Sequence, residues 1–283
     1  MARRVRTIVE GLSFAEGPRW RDGALYLADM HANRVLRVRA DGGYDVVAKL
    51  EGPVSGIGWL PDGRLLVVSM NDRRLMRREP DGRIVVHADL SDIAHWHAND
   101  MAVAADGTAY VGNFGFSLHP PGEFRSTSLA RVAPDGAVSE AANELWFPNG
   151  IALSRDGRTL IVAESGAFRL TAFDVAPDGA LVNRRVWAQL GVGESPDGVC
   201  LDAEGAAWIA LPTQRAFVRV REGGEVVETI EAPQIALACV LGGADRRTLY
   251  MMSAAHTAPE DCVADLTGTV TATEVDVAGV GFP

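Results

Sequence analysis

The sequence predicts an all-β fold, a six-bladed β-propeller with four antiparallel strands per blade and a ring closed by the N-terminal strand. Three observations predict it. A turn followed by a β-rich run recurs six times; a fourth strand follows only five of the six units; and one strand at the N-terminus belongs to no unit.

The recurring unit reads DGALYLAD from Asp22, DGRLLVVSM from Asp62, DGTAYVGN from Asp106, DGRTLIVAES from Asp156, EGAAWIAL from Glu204 and DRRTLYMMSA from Asp245. Successive starts lie 40, 44, 50, 48 and 41 residues apart, a period suited to one blade per repeat. An acidic residue, usually followed by Gly, enters a run rich in Leu, Ile, Val and aromatics, which is a hairpin signal. A third strand follows each unit, from RVLRVRADG in the first to TVTATEVDVAG in the last. YDVVAKL, IVVHADL, AVSEAANEL, LVNRRVWAQL and EVVETIEAP supply a fourth strand to five units, and the sixth ends without one. RVRTIVEGL near the N-terminus supplies the missing strand, and closing the ring this way leaves no open end to the array. A single domain over residues 1–283 is expected, with no helix of useful length, and no GH…WD signature marks a WD40 blade. Two packed β-sandwiches would not account for the missing and the surplus strand.

Composition narrows the function. Hydrophobic residues make up 47% and charged residues 23%, as in a soluble globular chain. A net charge of −10 argues against nucleic acid or an anionic membrane as partner. The three cysteines, Cys200, Cys239 and Cys262, form no CxxC pair, which suits a reducing cytoplasm and offers no thiolate metal site. The opening MARRVRTIVEGL has no apolar core to act as a signal peptide, and no run approaches the ~18 apolar residues of a membrane span.

The innermost strand of each blade should start at the ligand face. The six inner strands align on Trp20, Trp59, Val103, Leu153, Leu201 and Leu241. Four residues earlier stand Glu16, Ser55, Asn99, Asn149, Asp197 and Leu237. One such residue alone would be a turn cap. Symmetry, however, brings all six to one ring around the channel, and carboxylates converging in a partly closed channel call for a cation. Glu16, Asn149 and Asp197 together offer oxygen donors with two negative charges, which balance one divalent ion, and Asn99 is a fourth donor, directly or through water. Such hard donors favour Ca²⁺ first, with Mg²⁺, Mn²⁺, Zn²⁺ or Fe²⁺ as alternatives. Three or four protein donors leave positions open for water and substrate.

AEGPRW with Glu16, HAND with Asn99, FPNGIALSRDGRTLIVAES with Asn149, SPDGVCLD with Asp197 and ACVLGGADRRTLYMMSA, in this order at blade spacing, resemble the gluconolactonase, senescence-marker-protein and luciferin-regenerating-enzyme family over nearly the whole chain. The resemblance implies a single divalent metal on Glu16, Asn149 and Asp197, with Asn99 facing a small-molecule lactone. It also implies a substrate-binding Glu, which maps to Glu123, and an Arg two residues before Asn99, where this chain has His97. A histidine lacks the fixed guanidinium fork, so the departure weighs against an aldonolactone more than against metal-assisted hydrolysis.

The expected activity is metal-dependent opening of a lactone, with Asp197 or His97 activating water and His97 also available to substrate. Organophosphate hydrolysis in the same pocket is a second reading, because propeller enzymes of that kind are similar in fold and metal ring. A non-catalytic, metal-stabilised binding propeller is a third. Strand alternation directs Asp100 away from Asn99's face, as a loop-orienting residue. His95 and Trp96 belong to the pocket rim or to a plain loop, and a zinc site from His95 and His97 lacks a third ligand. His31, Asn113, Phe114, Phe116 and His256 sit where second strands end at the same face, and the two phenylalanines suggest an apolar wall.

Overall fold

The computed structural model describes residues 3–281, so Met1, Ala2, Phe282 and Pro283 of the expected span lie outside it. Its strands form six four-stranded antiparallel sheets. Five run in simple chain order from the inner to the outer strand. In the sixth, Ile235–Gly242, Thr248–Ala254 and Gly268–Glu274 are joined on the outside by the N-terminal strand Arg6–Leu12. Arg6 faces Ala272 and Leu12 faces Gly268 across that seam, so the surplus strand closes the ring as expected.

The turns form for a local reason. The Asp that opens a hairpin accepts the N–H two residues on, as Asp62 does from Arg64, Asp106 from Thr108, Asp156 from Arg158 and Asp245 from Arg247, each at 2.8–3.1 Å. This side-chain bond replaces a backbone partner that the turn cannot supply.

Apolar packing confirms closure. Six buried clusters each span one pair of neighbouring blades, and the cluster of Val9, Leu12, Leu27, Leu36, Val240 and Val270 joins the last blade to the first. A seventh cluster, including Phe14, Met30, Met70 and Leu237, lies at the end of the channel where inner strands begin. One helix, Pro259–Asp265, packs there through the buried Cys262. The C-terminal segment crosses the opposite end, where Ala203 N–H donates to the Ala278 carbonyl (2.7 Å) and Val280 N–H to that of Leu201 (3.2 Å). Among the described residues, no helix is long and apolar enough to cross a membrane.

Candidate metal and active site

The inner strands are Ala15–Arg21, Val54–Trp59, Ala98–Val103, Pro148–Leu153, Val199–Leu201 and Ile235–Gly242. Glu16, Ser55, Asn99 and Asn149 are each the second residue of their strand, and Asp197 stands just ahead of its own. The residue after a ring position meets the backbone of the next blade. A Cβ on Gly150 would come within 2.5 Å of the Asp197 carbonyl oxygen, and one on Gly198 within 2.5 Å of the Ala238 Cα. At these positions, as at Gly17 and Gly56, only glycine allows the approach, which draws the ring side chains together.

Four ring positions are linked directly. Ser55 Oγ donates to Asn99 Oδ1 (3.1 Å), and Asn99 Nδ2 donates to Asn149 Oδ1 (2.9 Å). The Asn149 amide donates to Ser165 Oγ (3.2 Å) and also supports the Asp197 carboxylate. Ser165 Oγ in turn donates to the Pro196 carbonyl (2.6 Å), tying the blade-four loop to the segment that carries Asp197. Glu16 accepts the Gly17 N–H at 2.8 Å. Leu237, the sixth member, belongs to the apolar cluster at the channel mouth.

Electrostatics single out two members. Burial, and then repulsion from Asp197, push the Glu16 carboxyl well above the usual range. Burial, and then repulsion from Asp100, do the same to Asp197. Neither has a salt bridge among the described residues. Arg19, whose charge reaches Glu16 weakly, is already engaged by Asp100 (2.9 Å) and by the Met101 carbonyl.

The donor chemistry fits a hard divalent cation. Two carboxylates without a counter-charge stand beside an amide oxygen, and the Asn149 carbonyl oxygen keeps one lone pair after accepting from Asn99. Among the described residues no three His, Cys, Asp or Glu side chains converge, so any ion in this ring must draw on an amide as well as on Glu16 and Asp197. Deeper in the channel, Cys200 and Cys239 approach to 4.0 Å between sulfurs. Burial pushes the Cys239 thiol up, which keeps it protonated and a poor metal ligand.

Asp100 departs from expectation. A register shift between Ala98 and Met101 breaks the two-residue alternation, and Asp100 turns inward. Its carboxylate takes Arg19 from blade one and the Ile151 N–H of blade four (3.2 Å), clamping three blades across the channel. Arg19 and Ser165 are the polar members that pattern reading missed, and Asp100 is one that it directed the wrong way. Arg19 carried a signal, being a charge in the middle of an inner strand.

His97 is half-buried at the mouth, its ring stacked on Trp96 at 5.1 Å and tilted against Phe114 at 6.0 Å. Burial, reinforced by Arg73, lowers its pKa, so the imidazole is neutral at pH 7. Trp96 and His95 are exposed beside it. His31 lies against Phe14 with its pKa lowered by burial. Glu123 is exposed on the loop after Phe116, and no hydrogen bond joins it to the ring among the described contacts. Asn113 serves the fold by donating to the Ser128 carbonyl and accepting from Thr127 (both 2.7 Å). His256 pairs with Asp265 at 2.9 Å beside the short helix.

Fold and site together define a class: six-bladed propellers with a polar, acidic ring at one end of the channel. Residues 14–255 match the model of the SMP-30/gluconolactonase/LRE-like region, and the chain belongs to that family. It is 28% identical to regucalcin of Gallus gallus over 247 residues, covering 84% of this chain and 82% of that one. It is 26% identical to the 6-deoxy-6-sulfogluconolactonase of Pseudomonas putida over 275 residues, or 95% and 93% of the two chains. A solved structure of regucalcin from Agrobacterium tumefaciens, described as a calcium-binding protein, superposes with a TM-score of 0.83, covering 100% of this chain and 97% of that one at 22% identity, a likeness of fold.

Proposed function

We propose that this chain is a metal-dependent lactonase whose reaction centre is the ring of Glu16, Asn99, Asn149 and Asp197. The observation that carries the reading is the unpaired pair of the buried Glu16 and the half-buried Asp197 at the channel mouth, two acids that repel each other. Membership of a gluconolactonase-like family and similarity to a sulfogluconolactonase support lactones as the substrate class.

Glu16, Asn149 and Asp197 would hold the cation, with Ca²⁺ preferred for an all-oxygen donor set. When bound, it supplies counter-charge to the two carboxylates and polarises an ester carbonyl. The protein's own groups do the rest. Asn99, fixed between Ser55 and Asn149, orients the lactone with its amide. Water attacks the carbonyl carbon, the ring C–O bond breaks, and the hydroxy acid formed releases a proton at neutral pH. Two groups can receive the proton from the attacking water: the Asp197 carboxylate, and the His97 imidazole, which its lowered pKa leaves neutral. The acid limb of the pH profile separates them. Glu123, exposed on its loop, reaches substrate only if that loop folds inward on binding.

The test is proton release from a panel of lactones by chelator-treated protein, before and after resupply of Ca²⁺, Mg²⁺, Mn²⁺ or Zn²⁺. Turnover that returns with metal and is lost in Asp197→Ala supports the reading. Bound metal with no turnover on any lactone overturns it in favour of a binding propeller.

A further inference from the structure

Two residues before each ring position lies a second tier: Phe14, Pro53, His97, Phe147, Ser195 and Ile235. Four of the six are apolar and none carries a guanidinium. The hydroxyl of Ser195 is committed, donating to the Ser165 carbonyl at 2.8 Å. His97 is therefore the one side chain in this tier that still offers a ligand a donor.

The walls above the tier are aromatic. Starting from His97, Phe114 follows at 6.0 Å, Phe147 stands edge-on to Phe114 at 4.8 Å, and Phe116 edge-on to Phe147 at 5.5 Å. Phe116 then meets Phe124 at 4.9 Å, and Phe124 meets Trp146 at 5.1 Å. The arc stands over the Asn99 and Asn149 side of the ring, since Phe147 is two residues from Asn149 and His97 two from Asn99. Phe114 also packs against the cluster of Phe14, Met30, Met70 and Leu237, so the apolar lining continues past the arc. Nearest the ring, Phe114, Phe116 and Phe147 are half-buried and Trp96, stacked on His97, is 37% exposed, whereas Trp146 ends the arc in an outer groove beside Arg169 and Arg184. Aromatic side chains that keep so much surface in water beside a polar centre are suited to receive an apolar group.

From this juxtaposition of a polar ring and an aromatic tier, we infer that the site takes lactones bearing an aryl-sized apolar substituent rather than polyhydroxylated ones. The inference rests on the hydrolase reading above. A polyol entering this mouth would lose water from several hydroxyls and find only His97 in the tier to replace it. An aryl group loses little and gains edge-to-face contacts with Phe114, Phe116 and Phe147. The ester head then lies toward Asn99 while the substituent lies along the arc.

The experiment compares kcat/KM of the metal-loaded protein for γ-butyrolactone, γ-phenyl-γ-butyrolactone and glucono-δ-lactone. The phenyl lactone is expected to exceed the unsubstituted ring by at least about tenfold, and Phe114→Ala and Phe147→Ala to erase most of that ratio. Binding is read separately, as quenching of Trp96 fluorescence by the non-hydrolysed γ-phenyl-γ-lactam, with Trp96→Phe as the reference. Glucono-δ-lactone as the best substrate overturns the inference and leaves the hydrolase standing. Lactam binding with no turnover of any lactone removes the hydrolase and supports the aryl site. Neither preference nor lactam quenching in the wild-type protein overturns the inference outright.

Discussion

Buried carboxylates occur in two settings in this ring of blades. Asp29, Asp100, Glu164 and Asp202 are each held by an arginine: Arg34 at 2.8 Å, Arg19 at 2.9 Å, Arg169 at 2.9 Å and Arg219 at 2.6 Å. Their other oxygens take backbone or hydroxyl donors as well, as Glu164 Oε2 does from Trp146 N–H (2.8 Å), while Thr171 Oγ1 joins Arg169 on Oε1 (2.5 Å). Glu16, buried like these, and Asp197, half-buried at the mouth, have no arginine, although Glu16 is three residues from one that the clamp uses. Where a carboxylate serves to join blades, this chain supplies its counter-charge. Where two are left without one, a proton or a cation has to neutralise them, and the proposed cation site rests on that contrast.

Substitutions on the two sides of this contrast should behave in opposite ways. The largest effect is expected for Asp197→Ala, which should cost lactone turnover on the order of a thousandfold at a metal concentration that saturates the wild type, while leaving the fold intact by circular dichroism. Next is Arg19→Met, which strands Asp100 without its partner. It should destabilise the protein by about 3 kcal/mol in urea unfolding, whether or not metal is present. A smaller effect should follow His97→Gln, about tenfold in kcat, with loss of an acid limb that in the wild type falls below the ordinary imidazole value of 6.5. Should that limb survive the substitution, Asp197 is the group that takes the proton.

The smallest effect concerns stability and pH in chelated protein. Because Glu16 and Asp197 titrate higher in the fold than in the unfolded chain, the fold binds more protons between the ordinary carboxylate range and the raised values. Stability should therefore fall as pH rises through that window and level off above it. Added Ca²⁺ should remove most of the fall, and Asp197→Asn should gain about 1 kcal/mol over chelated wild type above the window. A chelated protein whose urea midpoint stays flat across the window would show that the two acids are not the destabilised pair.

Repetition decides how much of this could be read from residues alone. Turns, strands and closure were legible because each blade states the same pattern again, and the ring positions because each recurs four residues before an aligned apolar residue. Leu237 and Ser55 fit that register as well as the acids do. Asp100 defied it because a register shift, shared by five of the six inner strands, adds a residue just after the ring position, and strand alternation cannot see a bulge. The pairing of Arg19 with Asp100 skips a blade and has no local signature. Glu123 lies on a loop that the other blades lack, so no register could place it, and it emerges exposed. The aromatic tier was half visible, as Phe114 and Phe116. Phe14 and Phe147 became part of it only once the ring fixed where two residues earlier would fall.

The central claim is that the unpaired acids hold one divalent cation. Calorimetric titration of Ca²⁺ into chelator-treated wild type, Asp197→Ala and Asp202→Asn tests it most directly. One ion per chain should bind to the wild type, with proton release that grows as pH is lowered into the window. Binding should vanish in Asp197→Ala and survive in Asp202→Asn, where the lost charge belonged to a structural pair. Undiminished Ca²⁺ binding in Asp197→Ala, or none in the wild type, would contradict the account.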